Sequence, residues 1–301
     1  MKALIDKINK LKKSKNAIIL AHCYQKPEID FVADYVGDSL NLSQIAAKTD
    51  ADIIVFAGVY FMAQTAKLLS PNKKVLLPNI KSGCQMADMV NVEKLREFKS
   101  KHPNVPTVCY INTTAEVKAE CDICVTSSNA IKVVKSLNAD KILFLPDVNL
   151  GNWVEKNCDG VEVIKYFGYC PTHMGILKED ILKIKQENPN AKVLIHPECL
   201  EEVLEEADFV GSTTQIIDYC KNSKDEDFVI GTEFGVLQRL VRDFPDKNFT
   251  LASKRAVCKE MKYNSLEDIL YVLETEKNNI TVPEDIIEKA VQPIQRMLDV
   301  K

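Results

Sequence analysis

The sequence has no basic excess: 39 lysines and arginines face 43 aspartates and glutamates, for a net charge of -4 and a pI near 5.7. A general nucleic-acid binder carries a basic face, so that class is set aside. No apolar stretch approaches the roughly 20 residues that cross a bilayer. Met1 to Lys15 is a Lys-rich amphipathic pattern built on Leu4, Ile5, Ile8 and Leu11, with no small-residue cleavage site behind it, so it does not read as a signal peptide. No GxGxxG or Walker pattern occurs, and Gly37-Asp38-Ser39 and Gly211-Ser212-Thr213 alone do not support nucleotide binding. A cytoplasmic protein with neither nucleic acid nor membrane as partner is expected. A reducing compartment leaves no use for a disulfide framework, so the ten cysteines must serve metal, catalysis or packing.

What is present is repetition, in a chain of 301 residues, 46% of them hydrophobic, with enough apolar material for one large core or several smaller ones. Apolar runs at Ala17 to Ala21, Val105 to Tyr110 and Ala191 to Ile195 predict buried strands. Each leads into a polar triplet: His22-Cys23-Tyr24, Tyr110-Ile111-Asn112 and His196-Pro197-Glu198. The offsets of 88 and then 86 residues also relate Glu28, Glu116 and Glu202; Asp34, Asp122 and Asp208; and Ser39, Ser127 and Thr213. Helical periodicity follows each Ser or Thr. A second strand comes next (Ile53 to Ala57, Ile142 to Leu145, Phe228 to Ile230), then a helix that reads shortest in the middle unit. A third strand closes each unit (Val75 to Leu77, Val161 to Ile164, Phe249 to Leu251), and just beyond it stand Cys84, Cys170 and Cys258.

Strands alternating with helices at this spacing build parallel sheets through right-handed crossovers. The fold class expected is α/β, with three homologous three-layer α/β/α domains at 1–88, 89–175 and 176–258 in pseudo-threefold arrangement around a central active site. The tail, 259–301, reads as two helices, one from near Asn264-Ser265 and one with Pro283 in its first turn, packed outside on the first domain. Ligands collect beyond the carboxyl ends of parallel strands, where the triplets, the Ser/Thr positions and the three cysteines all fall.

The register also sorts the cysteines. Cys121 aligns with Ala33 and Ala207, Cys124 with Val36 and Val210, Cys109 with Ala21 and Ile195, and Cys220 with Ala46 and Val134, so these read as packing, the CxxC included. Cys84, Cys170 and Cys258 keep one slot in all three units and form a tripod of thiolates. Structural zinc usually takes four ligands from closely spaced pairs. A [4Fe-4S] cluster suits ligands spaced about 87 residues apart, and three thiolates for four irons leave one iron open as a Lewis acid. His22, His196, Tyr24, Tyr110 and Glu198 supply acid-base groups, and Asn112 can orient a carbonyl or carboxylate. Ser39, Ser127 and Thr213 open helices, where a hydroxyl caps backbone amides, and three converging N-termini would hold a small polyanion. His173 has no counterpart and joins the candidates through its nearness to Cys170. Asp122, in an apolar run that reads as helical, is expected to make a structural hydrogen bond.

These residues resemble the quinolinate synthase family along the whole chain. The motifs are His22-Cys23-Tyr24-Gln25-x-Pro27-Glu28, Gly37-Asp38-Ser39, Ser82-Gly83-Cys84, Tyr110-Ile111-Asn112-Thr113-Thr114-Ala115-Glu116, Thr126-Ser127-Ser128-Asn129-Ala130, Cys170-Pro171-Thr172-His173, His196-Pro197-Glu198-Cys199, Gly211-Ser212-Thr213 and Gly231-Thr232-Glu233. The resemblance implies condensation of iminoaspartate with dihydroxyacetone phosphate, with loss of phosphate and water, at a [4Fe-4S] cluster held by Cys84, Cys170 and Cys258. It implies substrate binding by His22, Ser39, Tyr110, Asn112, Ser127, His173, His196, Glu198 and Thr213, with Tyr24, Glu198 and His22 as catalytic groups. It also implies functional coupling to an aspartate oxidase or dehydrogenase that supplies iminoaspartate. The CxxCxxC run of some members is absent here, since Cys258 is followed by Met261. Two other readings use the same tripod: an aconitase-type hydro-lyase, and a non-catalytic metal- or cluster-binding module.

Overall fold

Three parallel four-stranded sheets, each flanked by helices, make up the computed structural model, which describes residues 1–300. The first sheet contains β1 (Ala17–His22), β2 (Tyr35–Gly37), β3 (Ile53–Ala57) and β4 (Lys74–Leu76). The second contains β5 (Thr107–Tyr110), β6 (Ile123–Val125), β7 (Lys141–Leu145) and β8 (Glu162–Lys165), and the third β9 (Lys192–Ile195), β10 (Phe209–Val210), β11 (Asp227–Gly231) and β12 (Asn248–Leu251). Each has the same order, second-first-third-fourth. The central strands β1, β3, β5, β7, β9 and β11 are almost wholly buried because helices cover both faces of the sheet, which is why they read as continuous Val, Ile and Leu runs rather than alternating ones.

The α/β/α reading of the sequence holds, with one strand per unit that it lacked. β2, β6 and β10 are two or three residues long and sit directly before the Ser/Thr positions. Asp122 therefore precedes a strand, not a helix, and its hydrogen bond is structural: Thr107 N–H donates to Asp122 Oδ2 at 2.7 Å. The same bond recurs from Ile19 N–H to Asp34 Oδ2 and from Val193 N–H to Asp208 Oδ2, both at 2.8 Å. One carboxylate per unit thus ties the short second strand to the start of the first.

The helices after β3, β7 and β11, expected from the sequence to be shortest in the middle unit, are equal in length. Tyr60–Leu69, Val148–Asn157 and Phe234–Asp243 all have 10 residues. The middle one is not shorter, because Asp147 caps it, accepting from Asn149 N–H and Leu150 N–H, and carries it through Asn149, Gly151 and Asn152.

The first helix, Lys2–Ser14, places Ile8, Leu4, Ile5 and Leu11 against β1 and β3 together with Ile269, Val272 and Leu273 of the tail helix Leu266–Thr275. The last helix, Glu284–Asp299, begins directly after Pro283 and buries Ala290, Ile294 and Met297 in the apolar cluster that runs from the first sheet into the second. Cys109, Cys121, Cys124 and Cys220 are buried within the units, Cys109 Sγ and Cys124 Sγ being 3.4 Å apart on paired strands. No helix among the described residues is long and apolar enough to cross a membrane.

Candidate active site

The first strand of each sheet is flanked by neighbours reached in opposite directions, and its carboxyl end is where a parallel sheet opens a crevice. The three crevices meet. They enclose a cleft of about 800 Å³, counting its mouth, whose walls include His22, Tyr24, Ser39 and Cys84 from the first unit, Tyr110, Asn112, Ser127, Cys170 and His173 from the second, and His196, Glu198, Thr213 and Cys258 from the third and its exit. Cys109, Cys121, Cys124 and Cys220 line no part of it.

The two histidines that follow β1 and β9 are built alike. Tyr24 N–H donates to His22 Nδ1 at 3.2 Å, and Glu198 N–H donates to His196 Nδ1 at 3.3 Å. With Nδ1 occupied as acceptor, a neutral ring carries its proton on Nε2, which becomes a donor for a ligand. Burial favours the neutral form, lowering His22 to about 4 and His196 to about 3. The unfolded chain takes protons on these rings below about pH 6.5 and the folded chain does not, so stability is level above that pH and falls below it. The loss should reach about 2 kcal/mol per histidine at pH 5. Thermal midpoints measured from pH 8 to pH 5 should fall below pH 6.5, less steeply in His22→Gln and His196→Gln; equal slopes in all three proteins would contradict this cause.

Glu198 is buried between two donors. Tyr110 O–H donates to Oε1, and His173 Nδ1 lies 2.7 Å from Oε2. Burial alone would raise this carboxyl, but His173, His196 and the two hydrogen bonds hold it below the usual carboxylate range, at about 2. Tyr110 and Tyr24 are pushed up, first by burial and then by the Glu198 charge. The rings of His173 and His196 stack at 4.4 Å, and Tyr24 O–H lies 3.0 Å from Thr213 Oγ1 and 3.0 Å from Thr232 Oγ1. Thr232 Oγ1 is also 2.9 Å from His173 Nε2. Asn112 leaves its Oδ1 buried without a hydrogen-bond partner, a cost that a bound donor would remove.

The Ser/Thr positions differ from expectation in one respect. Asp38 and Ser212, one residue earlier, are the caps of the helices Ser39–Lys48 and Thr213–Asn222, accepting from Asn41 N–H and Gln215 N–H. The third helix starts only at Ala130, with Asn129 Oδ1 turned back onto Thr126 N–H. Ser39 and Thr213 are first helical residues whose side chains need not cap. Ser128 Oγ lies 3.0 Å from Asp38 Oδ2 and 2.8 Å from Ser212 Oγ, which ties the caps of the first and third units to the second.

Of the ten cysteines, Cys84, Cys170 and Cys258 are the three that are only partly buried, and all three line the cleft. Burial raises each thiol, to about 12 for Cys84 and Cys258, so they stay protonated until a metal takes them as thiolates. Cys170, His173 and Glu198 bring one donor atom each within 4.8 Å of one another, a set that could hold a metal ion.

Several supporting residues escape a reading that looks for chemistry. Asp147 Oδ2 accepts from Cys170 N–H at 2.8 Å and Glu233 Oε1 from Cys258 N–H at 3.1 Å, so two buried carboxylates hold the backbone of two candidate ligands. They share one register slot, 86 residues apart, occupied by Val59 in the first unit. Lys262 Nζ joins Glu233 to the Tyr24 carbonyl. Gly235 permits that approach, since a Cβ there would stand 2.9 Å from Tyr24 Cα.

A family model described as NadA, the quinolinate synthetase A protein, matches residues 6–299. The chain is 53% identical over 298 residues to a quinolinate synthase of Alkaliphilus metalliredigens, covering 99% of this chain and 98% of that protein. It is 52% identical over 302 residues to a quinolinate synthase of a Sulfurihydrogenibium species and 49% identical over 298 residues to one of Methanosarcina barkeri, with 99% of this chain and 98% of each relative covered.

Proposed function

The chain belongs to the quinolinate synthetase A family, and from that premise we propose that it condenses iminoaspartate with dihydroxyacetone phosphate, losing phosphate and water, to give quinolinate. The observation that carries this reading is the convergence of equivalent positions from three units on one cleft that offers acid-base groups, anion-binding hydroxyls and three thiols together.

Cys84, Cys170 and Cys258 fit a [4Fe-4S] cluster, because they are the soft donors turned to the cleft while the other seven cysteines are buried. When bound, such a cluster with three protein ligands supplies a Lewis acid for a substrate oxygen or nitrogen. The chain's own groups do the rest. His22 and His196 present Nε2–H donors, and Ser39, Ser127 and Thr213 present hydroxyls to the carboxylates and phosphate of two polyanionic substrates, beside the N-termini of the helices that begin at Ser39 and Thr213. Asn112 and Tyr110 orient the bound dicarboxylate. Glu198, with both oxygens engaged, keeps the His173 proton on Nδ1, and its negative charge steadies that ring when it takes up a proton. Three units closing around the cleft keep water from an imine that hydrolyses readily. An aspartate oxidase or dehydrogenase would supply that imine.

The test is an anaerobic assay with enzymatically generated iminoaspartate and dihydroxyacetone phosphate. Quinolinate and inorganic phosphate should appear in equal amounts; phosphate release without quinolinate, or no product from a cluster-replete sample, would overturn the assignment.

A further inference from the structure

Thr232 lines no part of the cleft, yet its hydroxyl lies between two groups assigned to proton movement. It is fully buried directly after β11, with Oγ1 3.0 Å from the Tyr24 hydroxyl and 2.9 Å from His173 Nε2. The equivalent slots in the other units hold Gly58 and Pro146, which carry no hydroxyl, just as His173 has no counterpart outside its own unit. The two exceptions to the repeat touch each other.

The direction of these hydrogen bonds follows from donor and acceptor counting. Glu198 is an anion, so His173 Nδ1, 2.7 Å from Oε2, carries the hydrogen. While that ring is neutral its Nε2 is an acceptor, and Thr232 donates to it. A hydroxyl has one hydrogen to give, so Thr232 can only accept from Tyr24. The Tyr24 oxygen also lies 3.0 Å from Thr213 Oγ1, whose own hydrogen turns to an anion when one is bound.

We propose that Thr232 is a positioning residue that fixes the polarity of the Tyr24 phenol, drawing its proton toward His173 and leaving its oxygen as an acceptor for an N–H or O–H of the substrate. This rests on the reading of Tyr24 as a group of the quinolinate-forming site. Without the hydroxyl, Tyr24 can turn its proton to Thr213 or to the cleft, and His173 Nε2 loses its donor.

Thr232→Val keeps the side-chain shape and removes the hydroxyl, while Thr232→Ser restores it. In the anaerobic holoenzyme, Thr232→Val should lower kcat by about 10- to 100-fold, in line with loss of an outer-shell partner, with KM for dihydroxyacetone phosphate and iron content little changed. Thr232→Ser should recover most of the activity. Combined with Tyr24→Phe, Thr232→Val should cost little more, because the effect passes through the phenol. Should Thr232→Val not fold, Thr232→Ala against Thr232→Ser makes the same comparison. Wild-type kcat in the valine or alanine variant, serine as impaired as valine, or full additivity with Tyr24→Phe would each overturn the proposal. Absence of quinolinate from the wild-type enzyme would instead remove the reading on which it rests.

Discussion

Replacing Cys84, Cys170 or Cys258 singly by serine should abolish both quinolinate formation and stable iron binding, whereas Cys121→Ala and Cys124→Ala should keep iron, sulfide and activity. The two groups differ in where their sulfurs point. The first three meet at the cleft from three different units, so removing one leaves only two thiolates, at least 86 residues apart in sequence, to hold a cluster. Cys121 and Cys124 are buried in the second unit, Cys124 on β6 against Cys109 of β5, where a thiol acts as a small hydrophobe. Alanine there leaves a cavity and costs stability, not metal. Iron analysis and activity on anaerobically purified variants separate the cases. Equal iron loss in both groups would undo the assignment of ligands.

Glu198→Gln should retain its iron and bind substrate while kcat falls by about 10²- to 10⁴-fold, equivalent to about 3 to 5 kcal/mol in the barrier. The amide conserves shape but cannot carry the negative charge that keeps the proton on His173 Nδ1 and accepts from Tyr110. The comparable loss of a buried carboxylate from a histidine dyad in serine proteases acts through the wrong tautomer. Near-normal turnover with matched iron would move the proton-handling role elsewhere; a matched loss of iron would make Glu198 a structural or metal-binding residue.

Much of this site is legible in the sequence because a threefold repeat makes every position its own control. His22, Tyr110 and His196 occupy one slot, and so do Cys84, Cys170 and Cys258, while Cys121 is dismissed because its equivalents are Ala33 and Ala207. The same logic fails where an element is too short to carry a pattern. β10 is Phe209 and Val210 alone, held by the Asp208 carboxylate rather than by hydrophobic periodicity. It also fails by one residue at the helix starts, since Asp38 and Ser212 cap better than the Ser39 and Thr213 that follow them. Residues that act on backbone, such as Asp147 and Glu233, look like ordinary helix caps in the sequence, although their second oxygens hold Cys170 N–H and Cys258 N–H. Thr232, quoted only within the Gly231-Thr232-Glu233 motif, escapes the repeat for the opposite reason, because its equivalents Gly58 and Pro146 are different.

The most direct test of the account is the iron, zinc and acid-labile sulfide content of the anaerobically purified protein. A [4Fe-4S] cluster on Cys84, Cys170 and Cys258 predicts about four irons and about four sulfides per chain, a brown colour that bleaches in air, and no zinc. A single metal ion per chain without sulfide, kept in Cys84→Ser and Cys258→Ser but lost in His173→Ala, would place the metal on Cys170, His173 and Glu198 and contradict it.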